Sequence, residues 1–124
     1  MSPDQKLSIF MKRLRLNHND QTMAQMAKAL GVSVSLLSSV ENGKRNMSDD
    51  MFLLLCELYQ LNEKQIDELR YLRTLNSPKL NVPLDTMSNE LKSTTVKFLS
   101  SADDLSEDDL KKINSILNKK RGKK

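Results

Sequence analysis

At 124 residues, with 38% hydrophobic residues, three Gly, three Pro and no Trp, the chain has room for one small helical domain and an appendage, and suits a β-sandwich poorly. Its net charge of +4 is modest, so the distribution of charge matters more than its size. Its longest apolar run, Met51–Cys56, falls far short of the roughly 20 residues of a membrane span.

No charged-then-apolar N-terminal segment resembles a secretory signal, and a cytoplasmic setting is expected. Cys56 is the sole cysteine, which excludes an internal disulfide and a cysteine-rich zinc site. Inside an apolar run it reads as an inert core thiol. Residues 1–76 hold ten Lys and Arg against nine Asp and Glu, residues 77–118 hold five against seven, and the final KKRGKK adds five positive charges. Charge alone therefore does not establish nucleic-acid binding, and a motif must carry that conclusion.

In chain order, Leu7, Phe10, Met11 and Leu14 recur at three- and four-residue steps and predict an amphipathic helix over 4–16. Asn17, His18, Asn19 and Asp20 interrupt it with turn-forming residues. Thr22 caps a second helix whose apolar positions are Met23, Met26, Ala27 and Leu30. Gly31 supplies a permissive turn. Ser33 then caps a third helix with Leu36, Leu37 and Val40, which stops at Asn42-Gly43. Ser48, followed by Asp49 and Asp50, starts a fourth helix with Met51, Leu54, Leu55 and Leu58 as its buried stripe. Asn62 with Gln65 resembles a capping box and opens a fifth helix to Leu75.

Pro78 and Pro83 mark residues 77–83 as a linker, so residues 1–76 are expected to form one all-α domain. Beyond the linker, residues 84–118 read as a C-terminal helical segment. Leu84, Met87, Leu91, Thr95 and Phe98 follow a near-heptad rhythm. Leu105, Leu110, Ile113 and Leu117 mark a further helix started by Ser106 with Asp109. Such narrow stripes cannot bury themselves. They must pair with each other, with the first domain or with a second subunit. Residues 119–124 read as a disordered basic tail, either a nonspecific DNA contact or a solubilising end.

Helix, Gly31 turn, helix, then a glycine exit into Lys44-Arg45 is the layout of a helix-turn-helix that lays its second helix in the major groove. Resemblance to the phage-repressor-like helix-turn-helix family, set out below, implies that Val34, Ser35, Ser38 and Ser39 stand at base-reading positions, and Thr22, Ser33, Asn42, Lys44 and Arg45 at the DNA backbone. None of the four readers makes the bidentate contacts by which Arg reads guanine or Asn and Gln read adenine. Specificity is therefore expected to lean on single serine hydrogen bonds, on thymine-methyl contacts from Val34 or Leu36, and on DNA shape. Arg13 or the tail could contribute in the minor groove.

Other chemistry is sparse. His18 stands alone in a polar turn, the seven methionines sit mostly at core spacing, and the Asp103–Asp109 acids read as solvated helix starts. With no phosphate-cradling glycine loop, Ser/His/Asp set or metal-ligand cluster, neither an enzyme nor a cofactor or metal is expected.

The stretch AKALGVSVSLLSSVENGKR from Ala27 to Arg45 resembles the phage-repressor-like, Cro/CI or xenobiotic-response-element type of helix-turn-helix family, over about residues 7–75. The resemblance implies a five-helix lambda-repressor-like domain and a bacterial or phage transcriptional regulator that binds double-stranded DNA as a homodimer. It further implies a structural ion pair between Arg15 and Glu41. Two positions depart from the family pattern. Met23 stands where relatives place a phosphate-binding glutamine, and the loop Asn17–Gln21 is one residue longer. A second reading is an antitoxin that holds a protein toxin through residues 79–124, and an antirepressor is a further possible protein partner.

Overall fold

The computed structural model describes residues 3–121 and is helical, with no strand among the described residues. The elements are α1 (Pro3–Leu16), α2 (Met23–Leu30), α3 (Val34–Glu41), α4 (Asp49–Leu58), α5 (Glu63–Leu75), α6 (Asn89–Ser101) and α7 (Glu107–Arg121), with single 3₁₀ turns at Leu84–Thr86 and Ala102–Asp104. Contacts divide the chain between Leu80 and Asn81 into two units.

In the first unit every helix start after α1 is chemically marked. Thr22, Ser33, Ser48 and Asn62 each accept the backbone N–H of the residue three positions on, satisfying a donor that a helix N-terminus leaves orphaned. Thr22 and Asn62 complete reciprocal boxes with Gln25 and Gln65. The helix ends are equally specific. Gly31 at φ +72° and Gly43 at φ +76° take the left-handed conformation that closes α2 and α3. The Lys44 N–H donates to the Ser39 carbonyl at 2.9 Å and the Gly43 N–H to Val40 at 3.1 Å, the two bonds of a Schellman stop. The same pair of bonds ends α4, but there the left-handed residue is Gln60, at φ +48°.

α1 packs on α3 and α5, α2 on α3 and α4, and α4 on α5. Leu7, Phe10, Met11 and Leu14 of α1 meet Met26, Ala27 and Leu30 of α2, Leu37 and Val40 of α3, and Leu69 and Leu72 of α5 in one buried cluster. Met47 and Leu61, in the connections flanking α4, plug the same core. The stripe expected on α4 is corrected: Met51, Phe52 and Leu55 are buried, whereas Leu54 and Leu58 remain 37% and 43% exposed. Phe52 draws the buried arc to one side, so that Tyr59 rather than Leu58 continues it as a half-buried neighbour of the core. Cys56 is half-buried against that core, and burial pushes its thiol pKa up.

The second unit has no buried residue in either long helix. Ser88 caps α6, so Leu84 and Met87 precede that helix instead of extending its stripe. Ser106 and Asp109 exchange hydrogen bonds of 3.1 Å at the start of α7. Of the disordered tail expected over 119–124, only the first three residues are described, and they are helical. Lys119, Lys120 and Arg121 continue α7, their positive charges facing the negative end of its dipole, while residues 122–124 lie outside the described residues. No single helix among the described residues is long and apolar enough to cross a membrane.

Candidate nucleic-acid interface

The chain turns through 103° between α2 and α3, inside the range of a helix-turn-helix. Gly31 permits the turn, and Val32 leaves it by donating to the Ala27 carbonyl at 3.0 Å. Small Ala27, 2% exposed, belongs to the buried core cluster. One face of α3 is committed to the core through Leu37, Val40 and Glu41. The opposite face carries Val34, Ser35, Ser38, Ser39 and Asn42, which helical spacing aligns in one band.

Val34 and Ser35 are exposed, and Ser38 and Ser39 are half-buried. The Asn42 side-chain amide donates to the Ser38 hydroxyl at 3.4 Å, joining the end of α3 to its middle. Leu36, the other candidate for a methyl contact, lies half-buried against the core. The hydroxyls of Thr22 and Ser33 accept at their helix starts through one lone pair, which leaves the O–H to donate outward. Lys44 and Arg45 are exposed on the turn after Gly43, next to exposed Asn46. Arg13 is exposed on α1.

Behind the band, Arg15 holds α3 from below. Its guanidinium donates to both Glu41 carboxylate oxygens, at 2.5 and 3.2 Å, and Nη1 also lies 3.3 Å from the Met26 sulfur. With Arg15 8% and Glu41 2% exposed, one bidentate pair ties α1 to α3 at the level of α2.

A second brace was not anticipated from sequence. The Tyr59 hydroxyl donates to the Gln21 side chain, and the His18 ring lies edge-on to Tyr59 at 5.1 Å. Asn19 and Asp20 in the same loop adopt positive φ, a conformation that asparagine and aspartate tolerate better than most residues. Burial pushes the Tyr59 phenol up, opposed by the Gln21 hydrogen bond and the positive charge of Arg15. The contact spans 38 residues and so leaves no local periodic trace. Gln25 is a second residue the sequence reading missed, although Thr22 followed three residues on by glutamine is a capping-box pattern.

No group of metal-ligating residues occurs among the described residues. The geometry is that of a protein built to present a helix. Residues 6–69, just over half of the chain, match the model of a helix-turn-helix domain family of the xenobiotic-response-element-like group. The chain belongs to that family. No curated protein and no solved structure matches it. Family membership makes the first unit a DNA-binding helix-turn-helix domain, and it assigns nothing to residues 70–124.

Proposed function

We propose that this chain is a sequence-specific transcriptional regulator, a repressor, which binds a palindromic operator as a dimer with α3 in the major groove. The observation carrying this reading is the polar band of α3, opposite a face locked to the core by Arg15–Glu41 and flanked by capped helix starts and exposed cations. Val34, Ser35, Ser38 and Ser39 would meet base edges. Thr22, Ser33, Asn42, Lys44 and Arg45 would meet phosphates, which set register without reading sequence.

Selection of bound fragments from a random DNA library at about 0.15 M salt, near the physiological range, tests the reading. The expected winner is an inverted repeat, with Ser35→Ala and Ser39→Ala weakening it at defined base pairs. Binding with no enriched sequence would reduce the function to nonspecific attachment.

The unburied helices α6 and α7 favour one further role, capture of a protein. In that alternative the partner is a toxin neutralised through residues 79–124, and the first unit autoregulates the operon. Co-purification of a stoichiometric second protein with the full chain, in place of a homodimer, would support it.

A further inference from the structure

α7 is a 15-residue helix without a buried residue, too short to be stable in water on its own. Leu110, Ile113, Ile116 and Leu117 form one stripe, of which Leu110, Ile116 and Leu117 are 39%, 62% and 52% exposed. Its ends have opposite charge. Glu107, Asp108 and Asp109 stand in the first turn, and Lys119, Lys120 and Arg121 in the last.

Helical spacing places some of these charges beside the stripe. Glu107 is three residues before Leu110, and Asp109 four before Ile113. Lys120 is three after Leu117, and Arg121 four after it. Each cluster also complements the dipole of its own helix. The same polarity makes α7 complementary to an antiparallel copy of itself. A parallel copy would instead set acid against acid and base against base.

We propose that a second copy of this chain docks on α7, antiparallel, with Glu107 and Asp109 of each protomer facing Lys120 and Arg121 of the other. This deepens the dimeric reading proposed above and rests on it. Pairing about the Ile113–Leu117 stretch is isologous, as a twofold dimer requires, and buries the stripe of each helix against that of the other. Four aliphatic side chains per copy make a small interface, so the dimer is concentration-dependent and weakens as salt screens its rim.

Sedimentation of the full chain without DNA, at low and high salt, provides the test. The wild type is expected to dimerise, less so at high salt. The double variant Glu107→Lys/Asp109→Lys should dimerise at least about tenfold more weakly, since attractions at both ends become repulsions. Lys120→Glu/Arg121→Glu should do the same. Combining all four substitutions restores complementarity between copies while opposing the helix dipole, and dimerisation should return toward wild type. Recovery therefore isolates pairing from helix stability, and far-UV circular dichroism of each variant checks that the helices persist. A monomeric wild type, single-end variants that dimerise normally, or a combined variant weaker than either parent would each overturn the proposal. Binding of the wild type to a single selected half-site, measured alongside, separates the two readings. Its loss would count against DNA recognition, and its persistence in a chain that fails to dimerise would count against the α7 pairing alone.

Discussion

Among the described residues, Arg15 and Glu41 are the two charged ones inside the core, and removal of either strands the other. Arg15→Ala should destabilise the first unit by about 3–5 kcal/mol, the usual consequence of leaving one buried charge unpaired. Urea unfolding followed by circular dichroism measures it, and a midpoint equal to wild type would show that the pair contributes nothing. Arg15→Met combined with Glu41→Leu should recover much of the loss, because it removes both desolvation penalties while keeping volume. Backbone strain gives a second expectation. Gln60 adopts the left-handed conformation that glycine adopts at positions 31 and 43, so Gln60→Gly should raise stability by about 0.5–1 kcal/mol, the left-handed penalty less the extra entropy of unfolded glycine. Gly43→Ala should lower it by about 1 kcal/mol for the same steric reason. A lower melting temperature for Gln60→Gly would contradict this account. The Arg15–Glu41 pair spans 26 residues, so no periodicity could join its members; the family resemblance is what placed them together. Leu54 and Leu58 were misplaced because four apolar residues in one turn, Met51 to Leu54, let spacing fit more than one buried arc.

α3 shows how an element becomes an instrument. Ser33 and Gly43 fix where it begins and ends, Leu37 and Val40 fix its rotation, and the band of short side chains is the remainder. Those punctuation residues are local, which is why the five helices of the first unit could be read from the sequence with boundaries within a residue or so. The Tyr59–Gln21 brace, α4's true face and the helical state of Lys119–Arg121 depend on tertiary contact or helix propagation, which no local pattern encodes. Lys44 and Arg45 stand exposed just after Gly43, where the chain leaves α3. Lys44→Ala and Arg45→Ala should each weaken binding to all DNA sequences alike and lower the slope of log affinity against log salt by about one, one phosphate contact apiece. A substitution that instead changed which base pair is preferred would move that residue from the backbone to the base-reading set.

At the scale of the whole molecule, the proposed dimer, with two DNA-reading units joined through their second units, must satisfy the pitch of the double helix. Residues 77–83, with Pro78 and Pro83, resist helix; if they act as the connector read from the sequence, seven residues reach at most about 25 Å. Half-sites one turn apart, about 34 Å, lie on the same side of the duplex. Inserting about 5 base pairs between them moves one by roughly 17 Å and turns it to the opposite side. Affinity for the inverted repeat should then fall to nearly that of a single half-site. An insertion of about 10 base pairs restores the side but adds a full turn of separation, which two connectors of about 25 Å each can span only when both are extended. Partial recovery is therefore expected, weaker than at native spacing because extension reduces the effective concentration of the second reader. Mobility shifts on the three spacings measure this directly. Equal affinity for all three would mean that the two readers bind independently, with no coupling through residues 84–121.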